Sequence, residues 1–349
     1  MHIETLGKVL YHLKNYIDVM PGKSIAKKSL KILSEKSEQS IALFKQAVLN
    51  EKTISEKLNK VLEQYVSRWN DTTRPGILAL SFEAAGGEEG KAVPLQFALL
   101  HIDATMDIHD DIIDESIAKR KIKTIYGKLG KETTLLIGDA FMVKGFAHLH
   151  KALKNLPLER QELIMAAVKD FLSEVVDAHL SETALKADKW RTKPEKYLQA
   201  LSKKAADIEG RMKVGAIYGG GSEEEIEALS NVGRNLGILL VIRAEFIDMF
   251  EVDELSNRIS NECLPLPVLY AIKNKVLERK IRKISSKEQL DREDCKNIID
   301  LTLNSREVKP LMNYLETLRK EATKSLALLK DSSAKSDLQT ITASMLEDL

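Results

Sequence analysis

The chain has 349 residues, a formal charge of +1, 44% apolar and 30% charged residues, an ordinary globular composition long enough for one large domain or two. A charge this near neutral argues against a nucleic-acid partner, whose footprint is basic. Two cysteines, Cys263 and Cys295, make neither a disulfide framework nor a metal-ligand spacing, so a reducing cytoplasm is expected, with no secretory signal in Met1-His2-Ile3-Glu4 and no transmembrane segment: the longest apolar run, Leu236 to Ile242, stops at Arg243.

Helical periodicity runs through almost the whole chain, and alternating strand patterns are scarce. Met20-Pro21-Gly22 breaks the first fifty residues into two amphipathic pieces, read as an N-terminal helical appendage over 1–50 that packs on the main body or serves assembly. No Pro/Gly/Ser-rich linker follows, so 51–349 read as one all-α domain. Trp69 reads as a core anchor, and Gly86-Gly87 separates two helices.

The next helix is unusual in charge. From Ala92 to Ala118 there is no Lys or Arg, yet the segment holds Asp103, Asp107, Asp110, Asp111, Asp114 and Glu115. At about 100° per residue, Asp103, Asp107, Asp110 and Asp114 share one narrow face, opposite Ile102, Ile108, Ile112 and Ile113. Carboxylates stacked at these spacings repel one another. Keeping them ionised requires positive charge from outside, and a hard divalent metal with oxygen ligands is the natural candidate. The opposite charge follows at once: Lys119, Arg120, Lys121, Lys123, Lys128 and Lys131, with no acid among them. An acidic cluster beside a basic one suits a metal–diphosphate complex, the metal bridging carboxylate to phosphate and the cations neutralising the rest. The plainer alternative is a pair of solvated patches.

Further along, capping boxes are expected at Thr192-x-x-Glu195, Ser222-x-x-Glu225 and Ser285-x-x-Glu288, and Gly219-Gly220-Gly221 separates two helices. Trp190 reads as a second core anchor. His101, His109 and His179 read as packed or capping histidines before they read as bases.

Ile108-His109-Asp110-Asp111-Ile112-Ile113-Asp114, followed by Lys119-Arg120, resembles the first aspartate-rich motif of the trans-isoprenyl diphosphate synthases, the polyprenyl synthetase family. Other landmarks fall in that family's order: Arg74-Pro75, Gly138-Asp139, Thr192-x-x-Glu195-x-Tyr197 with Lys203, Gly233-Arg234-Asn235-Leu236-Gly237, and Glu321-Ala322 with Leu326 to Leu329. The resemblance implies an antiparallel helical bundle around a deep central cavity, with Mg²⁺ as cofactor. It implies an allylic prenyl diphosphate that ionises and is attacked by isopentenyl diphosphate. By carry-over, Asp110 and Asp114 hold metal with Asp111 supporting. Lys119, Arg120 and Lys203 contact the diphosphate, Lys203 with a catalytic share, and Arg74 contacts the second substrate's diphosphate.

The sequence departs from the family in several places. Where the second motif has Asp-Asp-x-x-Asp, this chain has Ala244-Glu245-Phe246-Ile247-Asp248. Glu245 and Asp248 share a helical face and could hold one metal, or form a polar pair with Arg243 as counter-ion. In the second substrate's site a lysine aligns with Asp71 and a histidine with Asp103, which should weaken phosphate binding. Lys204 stands beside Lys203 where the family has threonine, either restoring a charge or solvated. The expected function is a short-chain prenyltransferase. Thr105 is not aromatic, which permits geranylgeranyl diphosphate as product. The alternatives are a non-catalytic or modulating subunit, and a terpene cyclase or diphosphate lyase using one prenyl diphosphate. A homodimer is expected by resemblance, or a heterodimer with an active paralogue.

Overall fold

The computed structural model describes residues 25–51, 55–119, 122–287 and 290–347. The Met20-Pro21-Gly22 break and Arg120-Lys121 lie outside the described residues. The fold is all-α, as the periodicity predicts. The described chain divides into two compact units. The first runs up to Ala166 and adds Arg211–Glu227 and Leu329–Thr340; the second holds Ala167–Gly210, Ala228–Leu328 and the segment from Ile341.

In the first unit, α1 (Ile25–Asn50) packs against α3 (Thr73–Ala84) and α4 (Val93–Ile113), and α2 (Glu56–Arg68) lies beside α1. Ile41, Phe44 and Val48 of α1 share one apolar cluster with Val61, Val66, Trp69, Leu100, Ala104, Ile108, Ile137 and Phe141. Trp69 stacks tilted on Phe44, ring centroids 4.9 Å apart, and anchors the core as expected. The most extensive contact is between α4 and α5 (Ile125–Leu153). Small residues let the two backbones approach. A Cβ built on Gly145 would stand 2.7 Å from Ile102 Cγ1 and 3.2 Å from the Ala98 carbonyl. One turn pair away, Thr105 Oγ1 donates to the Gly138 carbonyl at 2.9 Å.

The loop joining α4 to α5 positions the acidic end of α4. Ser116 N bonds the Asp111 carbonyl at 2.9 Å while Glu115 takes φ +53°, a left-handed closure that glycine usually supplies. A two-strand hairpin follows, β1 (Ala118–Lys119) pairing antiparallel with β2 (Ile122–Lys123). Thr124 then caps α5, its hydroxyl accepting from Gly127 N at 2.9 Å.

α6 (Leu158–Lys186), α7 (Pro194–Lys204), α8 (Ala206–Tyr218), α9 (Glu223–Asp248), α10 (Val252–Asn261), α11 (Leu266–Ala271), α12 (Lys275–Ser285), α13 (Arg292–Leu303), α14 (Lys309–Ala327) and α15 (Ser333–Ser344) complete the described chain. The glycine breaks fall between helices as expected: Gly86 (φ +99°) before α4, Gly220 (φ +89°) before α9. The Ser222 box closes both ways, Ser222 N to Glu225 Oε2 at 2.9 Å and Glu225 N to Ser222 Oγ at 3.3 Å. The Thr192 box does not form: the Thr192 hydroxyl donates back to the carbonyls of Leu185 and Asp188, and Lys193 precedes α7 with no side-chain cap. Ser285 closes α12 rather than opening a helix, and Glu288 lies outside the described residues; the box forms at Asp291 and Asp294 instead. Trp190 is only partly buried, with the Arg282 guanidinium over its ring at 4.6 Å, so it is no core anchor.

Candidate active site

α4 is apolar around most of its surface, so most of its carboxylates are buried with it. Asp103, Asp107, Asp110 and Asp111 are all buried, and Asp114, at the C-cap, is half-buried. The helix ends on the acidic motif, and the turn at Glu115 and Ser116 brings the chain back so that Lys119 Nζ lies 2.5 Å from Asp111 Oδ1. Lys119 of the basic segment thus meets the acidic motif, while Lys128 donates instead to Gln64 Oε1 at 2.6 Å. Both carboxylate oxygens of Asp110 are buried. His109 is partly exposed, its Nε2 3.4 Å from Asp139 Oδ1. His101 is enclosed by Phe44, Phe97, Phe141 and His148 and bonds the Phe97 carbonyl through Nδ1 at 2.9 Å. Burial pulls its imidazole down to about 4, assisted by His148 and opposed by that carbonyl.

The upper half of the same acidic face is neutralised from within. Arg74, 2% exposed, has its Nε on Asp71 Oδ2, its Nη1 3.3 Å from Asp103 Oδ1 and its Nη2 3.2 Å from Asp107 Oδ1. Arg211 of α8 holds Asp103 as well, its Nη1 3.4 Å from Oδ2 and its Nη2 on Oδ1. Trp69 Nε1 donates to Asp107 Oδ2 at 2.7 Å. Asp71 also caps α3, accepting from Thr73 N at 2.9 Å. Asp71 and Asp103, which stand where the resemblance expects a lysine and a histidine, thus converge on Arg74, the arginine it expects to bind a diphosphate.

In the second unit the degenerate motif lies on α9. Glu245 is fully buried, and its counter-ion is Arg258 of α10, also fully buried. Arg258 Nη2 lies 2.9 and 2.8 Å from the two Glu245 oxygens, its Nη1 2.8 Å from Asp248 Oδ2, and its Nε 3.0 Å from the Cys263 carbonyl. Tyr197 OH joins this set, 2.9 Å from Arg258 Nη2 and 3.2 Å from Glu245 Oε1. Leu266 N donates to Glu245 Oε2 at 2.8 Å. Burial would depress the guanidinium, but Glu245, Tyr197 and Asp248 outweigh it and hold its proton affinity well above the ordinary value. Arg243, the counter-ion considered from sequence, spends its Nη1 on the carbonyls of Ser344 (3.3 Å) and Met345 (2.7 Å). Lys203 is ion-paired with Asp177, and Lys204 is buried against Glu182 rather than solvated.

Arg211 and Arg258 escaped the sequence reading. Arg211 carried a faint signal, a cation next to Met212 in a helix that also holds Ile208, Val214 and Ile217; Arg258 carried none, because α10 is strongly amphipathic and its carboxylate partners Glu245 and Asp248 lie on another helix.

Among the described residues no group of three or more His, Cys, Asp or Glu side chains is arranged to hold a metal ion. That does not disqualify α4. Mg²⁺ keeps several waters and binds through one or two carboxylates plus substrate phosphates, and Asp110 and Asp114, one turn apart, offer the kind of donor set that such binding uses. Glu245 and Asp248 do not fit a metal, because the Arg258 guanidinium already takes both Glu245 oxygens and Asp248 Oδ2.

A family model for polyprenyl synthetase matches residues 55–302. The chain is 29% identical to the short chain isoprenyl diphosphate synthase of Methanothermobacter thermautotrophicus over 57% of its own length and 60% of that protein's. It is 29% identical to the geranylgeranyl diphosphate synthase of Methanosarcina mazei over 59% of its length and 63% of that protein's. The chain thus spans about three-fifths of the length of these curated relatives. Its fold matches the geranylgeranyl pyrophosphate synthetase of Pyrococcus horikoshii with a TM-score of 0.79, at 23% identity, covering 92% of this chain and 100% of that one. The class defined by this all-α fold is the isoprenyl synthase type. The chain belongs to the polyprenyl synthetase family.

Proposed function

We propose that this chain is a Mg²⁺-dependent prenyltransferase that joins isopentenyl diphosphate to an allylic prenyl diphosphate, with geranylgeranyl diphosphate as the leading product. The observation that carries this reading is the intact acidic end of α4, with Lys119 folded back on it, in a chain of this family. Asp110 and Asp114 would hold Mg²⁺, with Asp111 oriented by Lys119. When bound, the metal neutralises charge developing on the leaving diphosphate. Lys119 and Arg120 would add positive charge as the allylic carbon–oxygen bond breaks and diphosphate departs with the electron pair. The double bond of isopentenyl diphosphate then forms the new carbon–carbon bond, and a proton is lost. Thr105, buried on α4 with its hydroxyl on Gly138, offers no aromatic ring to shorten the product.

A second reading is a modulating subunit that pairs with an active paralogue. It is favoured by the carboxylates closed around Arg74, which compete with a diphosphate for that guanidinium. A homodimer belongs to the first reading, a heterodimer to the second. A cytoplasmic location accords with both, and no helix of the described residues is long and apolar enough to cross a membrane.

The deciding experiment is mass spectrometry of products from the purified chain with Mg²⁺ and each allylic primer, with and without isopentenyl diphosphate. Extended prenyl diphosphates support the prenyltransferase. Failure with every primer, alone, removes it, and a changed rate or chain length on adding the paralogue supports the subunit. Inorganic diphosphate released without isopentenyl diphosphate would instead mark a single-substrate cyclase or lyase.

A further inference from the structure

We propose that the Arg258 guanidinium stands in for a divalent cation at Glu245 and Asp248, so that α9 takes up no metal and the chain binds Mg²⁺ through the aspartates of α4 alone. The first half is independent of catalysis; the second rests on the proposed reading of α4.

The geometry of the cluster carries this inference. All three nitrogens of Arg258 are engaged: Nε on a backbone carbonyl, Nη1 on Asp248, Nη2 on Glu245 and Tyr197. Both Glu245 oxygens face Arg258 Nη2, and each takes a further donor, Tyr197 OH on Oε1 and Leu266 N on Oε2. A guanidinium suits this planar, hydrogen-bonded setting. Mg²⁺ does not. It needs an octahedral shell at about 2.0–2.1 Å and keeps several waters, whereas both Glu245 oxygens are already taken by Arg258 Nη2, Tyr197 OH and Leu266 N. A dication brought to the same oxygens would also meet a buried like charge at close range, where low dielectric amplifies repulsion. The guanidinium cannot relieve this by losing its proton, since arginine stays charged throughout the working pH range.

The loss of the motif's first aspartate is explained on the same terms. Arg258 already faces three carboxylates, Glu245, Asp248 and, 3.5 Å from its Nε, Glu262. A further carboxylate at position 244, which is buried, would add negative charge to that set.

The test is binding of Mn²⁺, as a paramagnetic substitute for Mg²⁺, to the full chain with inorganic diphosphate, followed by electron paramagnetic resonance. Three proteins are compared: wild type, Asp248→Asn, and the double variant Asp110→Asn/Asp114→Asn. Asp248→Asn keeps an oxygen acceptor for Arg258, so the fold survives, and its melting temperature checks this. The expectation is that Asp248→Asn matches the wild type in stoichiometry and within twofold in affinity. The α4 double variant should lose at least tenfold in affinity and show no second class of Mn²⁺. Two results overturn the inference: a tenfold loss in Asp248→Asn, or Mn²⁺ still bound tightly by the double variant. The second needs no change near Arg258 and decides the matter even if Asp248→Asn misfolds. Absence of Mn²⁺ binding in the wild type would instead overturn the reading of α4, leaving the metal-free state of α9 intact.

Discussion

At the scale of single residues, several buried charges and one buried base dominate. His101 is buried with its pKa near 4, against an ordinary 6.5 in the unfolded chain. The unfolded state therefore takes up a proton first as pH falls. The fold has its full stability above about pH 6.5 and loses it progressively toward pH 4, by about 3 kcal/mol at most. Urea denaturation of wild type and His101→Leu at pH 7.5 and pH 5 checks this: the wild type should lose more stability than the variant, and equal losses would reject the assignment. Arg74→Met should be far more damaging, because it leaves Asp71 and Asp107 buried without their guanidinium. The expected loss is about 3–5 kcal/mol, read as a lower urea midpoint at pH 7. The aspartate face was legible because helical periodicity is local. The arginines that answer it were not: Arg211 and Asp103 are separated by 108 positions, and no pattern in a sequence window announces such a pair.

Among the elements, the α4–α5 contact sets the line along which the acidic motif is presented. Gly145→Ala would drive a Cβ into Ile102 Cγ1 and close to the Ala98 carbonyl. Overpacking of about 1–3 kcal/mol exceeds the gain of about 1 kcal/mol from replacing glycine in a helix, so the melting temperature should fall. Gly138→Ala meets only the distal atoms of the His109 ring, at 2.3 Å. That ring is partly exposed and can turn aside, so the substitution should be near neutral in the same thermal scan. Helix identities and glycine breaks were readable in advance, since both depend on neighbours in sequence. Caps were half readable. Ser222 behaves as its pattern says, while the Thr192 hydroxyl is drawn to carbonyls of the preceding helix, a competition that Ser/Thr-x-x-Glu does not encode.

For the molecule as a whole, the two acidic clusters fall in different units. The acidic end of α4 belongs to the first unit and the Glu245 cluster to the second. Asp110→Ala and Asp114→Ala should each lower product formation by at least a hundredfold with little change in melting temperature, if metal held there stabilises the leaving diphosphate. Loss of activity together with a collapsed thermal transition would place their role in folding instead. The all-α fold and the first motif could be read from the chain because each repeats a local rule. The rewiring around Arg74 and Arg258 could not, because it is written in contacts between helices.

The Arg258 cluster has a consequence for the order in which mutations can accumulate. Ala244→Asp alone adds an acid to a sealed site that already holds more carboxylates than arginines, and Arg258 loss alone strands Glu245 and Asp248. Each single step toward Asp-Asp-x-x-Asp therefore destabilises the fold before any benefit arrives, which is sign epistasis. A library combining substitutions at 244, 245 and 258 should recover folded proteins mainly among the multiple mutants.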